Sequence, residues 1–176
     1  VQRQKAVLIE IDAELGNLVA VQFTVADQTA FIVPDDLQAA LKRDKVDLTQ
    51  PNLRQIHLIH SELLSELRSK GFSVDAGAMG ENVLTQGIDL LSLPKNTLPK
   101  LGGTVVLRVT GLRNPCGQLD NFQKGLTKAV LAKDSEGNVI IKAGVMAVVE
   151  IGGTVILGDL IEVQMPNKPY EAPQRV

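Results

Sequence analysis

The stretch "GGTVVLRVTGLRNPCG" (Gly102–Gly117) decides how the fold is read. It opens on two glycines and runs through β-branched and aliphatic residues. Beyond Gly111 it breaks into Arg113, Asn114, Pro115 and Cys116. Apolar runs this short, punctuated by glycine, asparagine and proline, suit a barrel or a strongly bent sheet better than parallel βαβ units. "GAMGENVLTQGIDLLSLP" (Gly77–Pro94) has the same texture upstream, and "VIIKAGVMAVVEIGG" (Val139–Gly153) and "GDLIEVQMP" (Gly158–Pro166) repeat it downstream. The expected class is mainly β with short helices (α+β), arranged as a closed or partly closed β-barrel.

Toward the N-terminus, "KAVLIEI" (Lys5–Ile11) and "LVAVQFTV" (Leu18–Val25) read as a hairpin, followed by a third strand in "TAFIV". "PDDLQAALKRD" turns helical, with Leu37, Ala40 and Leu41 on one face and Asp35 as N-cap. "IHLIH" (Ile56–His60) reads as a strand. Ser61 is placed to cap a helix over "ELLSELRSK", which Gly71 ends. "DNFQKGLTKAVLA" carries Phe122, Leu126, Ala129 and Val130 at helical spacing, and Gly125 splits it into two pieces. The segment after Pro166 is rich in proline and asparagine and reads as a loose tail over 167–176.

The chain has 176 residues, the size of one domain with a real core, and is read as a single domain over 1–176. Its net charge of −2 argues against nucleic acid as the main partner, since phosphate binding is driven by Lys and Arg. Four Phe, one Tyr and no Trp leave no platform for stacked bases, so the core rests on aliphatic residues. A single cysteine closes no internal disulfide and fits a reducing, cytoplasmic setting. No apolar run approaches the roughly 18–20 residues of a membrane span, and the first residues do not resemble a signal peptide.

Cys116 is the first candidate for chemistry. Arg113 lies three residues upstream and a helix-like segment begins just downstream, with Asp120 as a possible N-cap; both favour a thiolate. Against this, free cysteine is often a small buried apolar residue. A Cys–His nucleophile also needs a base in reach, and sequence does not place His57 or His60 beside it. "GAMGENVLTQG" is the second candidate: Glu81 and Asn82 offer an acceptor–donor pair to a pterin or purine edge, or else form a surface turn bonding its own backbone. His57 and His60 fall on opposite faces of a strand, which suits joint metal binding poorly and favours a structural role.

Taken together, "RQIHLIHSELL", "GAMGENVLTQGIDLLSLP", "VTGLRNPCGQLDNFQKGL", "KAGVMAVVEIGG" and "GDLIEV" resemble, in this order and spacing, the MOSC domain family, named after the C-terminal domain of molybdenum cofactor sulfurase. The likeness is to small stand-alone bacterial members and is strongest over 51–166. Residues 1–50 diverge, lacking the family's "GD" element with histidines. The resemblance implies a barrel related to the pyruvate kinase β-barrel domain, and a cysteine, here Cys116, that accepts sulfur or ligates the molybdenum of a pterin cofactor. Arg113 and Asn114 would then orient the cofactor, and Glu81 and Asn82 would line the opposite wall. Gln118, Asp120 and Lys124 rank behind them as cofactor-binding residues. Implied partners are the pterin cofactor or a small anionic ligand, together with a redox or sulfur-donor protein. Sulfur transfer, or a part in a molybdenum-dependent reductase, would be the activity; a non-catalytic binding module is the alternative. Pyridoxal phosphate belongs to a separate domain of the full sulfurase, and nothing in this sequence supports a site for it.

Overall fold

The computed structural model describes residues 9–12, 17–25, 28–32, 53–155 and 157–176. In chain order the strands are β1 (Ile9–Asp12), β2 (Asn17–Val25), β3 (Gln28–Ile32) and β4 (Ile56–His60). Helix α1 (Ser61–Ser69), β5 (Val83–Thr85) and a 3-10 turn over Leu90–Ser92 follow. Next come β6 (Leu98–Leu101), β7 (Val105–Leu112), α2 (Gln118–Phe122) and α3 (Leu126–Ala129). The last strands are β8 (Leu131–Lys133), β9 (Val139–Ile141), β10 (Val145–Ile151), β11 (Gly153–Val155) and β12 (Ile161–Gln164). The chain is thus mainly β, with a curled half-barrel sheet and short helices.

The main sheet has the order β12-β6-β7-β10-β4-β5, and β11-β1-β2-β3 form a second sheet. The N-terminal hairpin and third strand pair antiparallel as their pattern predicts. The helix expected over "PDDLQAALKRD" lies outside the described residues. One expectation is corrected. The texture argued against parallel βαβ units, yet β4 and β5 pair in parallel across the α1 crossover. The apolar face of α1, made by Leu63, Leu64 and Leu67, covers the sheet in that crossover.

Alternation along the strands divides the interior into two cores. Ile56 and Leu58 of β4, Val105, Leu107 and Val109 of β7, and Val145 and Ala147 of β10 share one. Ile59 points the other way, into a second core with the α1 leucines, Met79, Leu126 and Ile141. Each such Val, Leu, Ile or Met side chain contributes about 1.5–3 kcal/mol on burial.

The helix ends differ in detail from expectation. Helix α1 begins at Ser61, with His60 in the cap position and no side-chain cap bond. The downstream helix splits at Gly125, whose φ of +89° a side chain would oppose. Its second piece stops at Ala129, and Leu131 and Ala132 turn into β8 instead. The tail read as loose is tied to the sheet: Leu112 donates to the Gln174 carbonyl at 2.7 Å, and Val176 donates to the Leu112 carbonyl at 3.2 Å.

Candidate functional site

Strand β7 sets the geometry of the site through an irregularity. Ala147 pairs with Val109, and the next residue of β10, Met146, pairs with Gly111. Thr110 is therefore an extra residue, a β-bulge, and its hydroxyl donates to the Leu53 carbonyl at 2.6 Å. One inserted residue reverses the alternation that follows. Val109 faces the first core, and by simple alternation Arg113 would face it too. After the bulge, Arg113 emerges on the opposite face, the one His57 occupies. The backbone N–H of Arg113 then donates to Gly144 at 3.0 Å, which fixes its root.

On that face lies a cavity of about 170 Å³, lined in part by His57, Met79, Arg113, Cys116, Leu119 and Phe122. Gln118 also reaches it. Cys116 is partly exposed, and its Sγ lies 3.7 Å from Oε1 of Gln118. The Arg113 guanidinium makes no hydrogen bond or ion pair with any described residue. Burial holds it below the usual arginine range, and the charge of Arg54 pushes the same way; the negative form of Cys116 opposes both. An arginine so placed is a free five-donor fork beside a thiol, suited to anionic oxygens.

His57 stands on the same wall but does different work. It is 5% exposed, and its Nε2 donates to the Ala143 carbonyl at 2.7 Å. Burial pushes its pKa down to about 4; Arg113 and Arg54 add to that, against the pull of the Ala143 carbonyl. It is therefore neutral at pH 7 and a weak base. The pocket does join a cysteine and a histidine, but an imidazolium–thiolate pair is not what His57 offers. His60 faces away, its Nδ1 buried without a partner and its pKa lowered by burial.

The opposite wall is the Gly77–Asn82 turn, which presents Ala78, Met79 and Gly80 to the cavity. Glu81 does not line it. Its carboxylate turns back and accepts from the backbone of Gly77 at 2.7 Å and of Met79 at 3.1 Å. It is buried, which raises its pKa, while those N–H groups hold it down. Asn82 clamps β4: its N–H donates to the His57 carbonyl at 2.9 Å, and its Oδ1 accepts the His57 N–H at 2.7 Å. Both residues shape the wall, and neither is among those lining the cavity.

The remaining candidates divide in a similar way. Asp120 accepts from Gly125 at 3.1 Å and Thr127 at 2.9 Å, so it caps α3 rather than α2. Asn114 and Lys124 are exposed and outside the cavity lining. Of the eight residues expected from sequence, the cavity thus brings together Arg113, Cys116 and Gln118. It adds His57 and an apolar rim of Leu119 and Phe122. The alternation of "IHLIH" carried the signal for His57, since it set His57 apart from Ile56 and Leu58. Among the described residues no group of three His, Cys, Asp or Glu could hold a metal ion.

The fold of this site is shared with solved structures. YiiM from Geobacillus stearothermophilus superposes with a TM-score of 0.58 at 17% identity, covering 96% of this chain and 79% of that one. The YuaD protein from Bacillus subtilis does so at 0.58 and 18%, covering 93% and 97%. YiiM from Escherichia coli gives 0.53 and 15%, covering 96% and 73%. At such identities the likeness is one of fold. Among curated proteins no sequence matches. The sequence model of the MOSC domain matches residues 45–162, two thirds of the chain, with the bulged strand, the Gly77–Asn82 turn and Cys116 all inside it; the chain belongs to the MOSC domain family.

Proposed function

We propose that this chain is a sulfur-carrier or molybdenum-cofactor-binding protein in which Cys116 accepts sulfur or ligates molybdenum. One observation carries the reading: a partly exposed thiol shares a small cavity with a half-buried guanidinium that has no hydrogen-bond or ion-pair partner among the described residues. The residues fit one end of such a cofactor. A soft thiolate suits molybdenum, and the Arg113 fork suits the oxygens of an anionic metal centre or phosphate. A cavity of about 170 Å³ is smaller than the roughly 300 Å³ and more that enclose drug-sized ligands. It would admit the metal end and leave the pterin outside. When bound, the cofactor would supply two-electron redox chemistry at the metal. The chain's own residues would hold and orient it: Cys116 as the soft ligand, Arg113 on the anionic oxygens, and the apolar rim of Leu119 and Phe122 limiting water.

As a sulfur carrier, the Cys116 thiolate would attack the outer sulfur of a donor protein's persulfide. The donor's S–S bond breaks, a new one forms on Cys116, and the donor leaves as a thiolate. Asn114 and Lys124, exposed and outside the cavity lining, would meet the outer part of the cofactor, or that donor or a redox partner. A cytoplasmic setting would keep the thiol reduced. The family's kinship to the pyruvate kinase β-barrel domain belongs to the same reading, with the curled sheet as its counterpart. The second reading, a binding module without sulfur chemistry, is favoured by the engagement of Glu81, Asn82 and Asp120 with backbone. Expression with an intact molybdenum cofactor pathway, followed by molybdenum and persulfide analysis, separates the two. Bound molybdenum or sulfane sulfur in the wild type and none in Cys116→Ser supports the first. Unchanged ligand content in the variant supports the second.

A further inference from the structure

The tail approaches the site where β7 ends. Glu171 accepts from the Lys95 backbone at 2.9 Å, and its carboxylate pairs with the Lys95 ammonium at 2.9 Å. Gln174 and Val176 then occupy the two backbone groups of Leu112, and Arg175 bridges Leu112 in parallel. Space for this exists because Gly111 has no side chain. A Cβ there would run into the Gln174 carbonyl oxygen and come within 2.8 Å of a Val176 methyl. Gly111 pairs with Met146 on the same face from which Arg113 emerges two residues later. Glu171, Ala172, Gln174 and Arg175 remain exposed, so the segment is held mainly by these few bonds and little buried surface.

We infer that residues 171–176 form a clasp that positions the Arg113–Cys116 loop over the cavity, with Gly111, Gln174 and Val176 as its positioning residues. The bulge at Thr110 leaves the end of β7 out of register with a simple ladder, and the clasp supplies a partner for Leu112 there. Together with the Gly144 bond, it fixes where Arg113 starts. The inference rests on the proposed reading only in taking the Arg113–Cys116 pair as the functional one.

The test reads that pair from both sides of the clasp. Val176→Pro deletes the N–H that Leu112 accepts, and Gly111→Ala blocks the Gln174 approach. Alkylation of Cys116 is measured with neutral iodoacetamide and with anionic iodoacetate, beside hydrogen exchange at the Leu112 amide. Wild type prefers the anionic reagent, and Arg113→Ala sets the baseline without that preference. Both clasp variants are expected to speed exchange at Leu112 and to lower the iodoacetate-to-iodoacetamide ratio by about two- to fivefold, the scale of one partly exposed charge contact. A lowered ratio in Gly111→Ala alone would mean that β7 itself was distorted, and it overturns the clasp. So does faster Leu112 exchange with an unchanged ratio in Val176→Pro. If wild type and Arg113→Ala give the same ratio, the Arg113–Cys116 pairing fails instead. The clasp then stands only if both variants change the absolute alkylation rate, and falls if they do not.

Discussion

The two walls of the cavity contain similar kinds of residue and use them in opposite ways. On the Gly77–Asn82 wall, the carboxylate of Glu81 and the amide of Asn82 are engaged with backbone groups. On the Arg113–Gln118 wall, the guanidinium bonds to no described residue, and the thiol lies 3.7 Å from Oε1 of Gln118. A polar group whose bonds are satisfied within the fold stabilises it and has little left for a ligand. One held partly desolvated without a partner stabilises little and is open to chemistry. The first wall is scaffold, and the second is the one the proposed function makes reactive.

The sharpest way to break this contrast is Cys116→Ser. It is expected to remove all bound molybdenum and sulfane sulfur while moving the melting temperature by no more than about 2 °C, as a near-isosteric change at a partly exposed site. A large loss of stability would make Cys116 part of the scaffold. Next in size is a pH effect centred on His57. The unfolded imidazole takes up its proton near pH 6.5 and the folded one only near 4, so between these values the unfolded chain binds more protons. Stability contributed by neutral His57 is complete above pH 6.5 and declines as pH falls toward 4, by about 3 kcal/mol. His60, also lowered, adds in the same direction. Urea titrations of wild type and His57→Gln at pH 7 and pH 4.5 should show a smaller acid loss in the variant, and equal losses would refute the assignment.

On the scaffold wall, Glu81→Ala should cost about 2–3 kcal/mol by stranding the Gly77 and Met79 N–H groups, and Glu81→Gln should recover part of it. Asn82→Ala should cost about 1 kcal/mol, measured in the same titrations. Smallest of all is Arg113→Met: no loss of stability, and a slight gain if desolvation of the guanidinium outweighs its favourable contacts. A clear loss would show that Arg113 is engaged after all and would erase the difference between the walls.

Much of this fold is legible in the sequence. The alternation of "IHLIH" and "TVVLRV" fixes strands and faces, and Gly125 announces a break in the helix, because these patterns depend on near neighbours. The role of Glu81 was not legible, since a carboxylate that binds a ligand and one that binds its own turn are the same residue in the same glycine-rich context. Asp120 was assigned to the wrong helix for a related reason: its side chain reaches forward five and seven residues instead of capping the adjacent turn. The docking of the tail left no mark on the tail itself. Its only trace is the missing side chain of Gly111, over sixty residues away. Nor does periodicity reveal that Thr110 is an added residue; without the bulge, the same pattern would send Arg113 into the first core.

The turn that follows the thiol is closed by bonds between near neighbours. The Cys116 carbonyl accepts from Leu119 at 3.1 Å and from the hydroxyl of Thr127 at 3.3 Å, eleven residues on. The facing wall depends instead on bonds across 25 residues, from Asn82 to His57, and across 86, from His57 to Ala143. Local contacts close early in folding, and distant ones only after a larger loop has been ordered. The turn after the sulfur is therefore local, while the Arg113 end of its loop and the facing wall exist only once distant segments are in place. Loosening of those distant segments would open the cavity and bare the thiol further. Labelling of Cys116 is thus a gauge of sheet closure, sensitive to loosening that helix signals would miss.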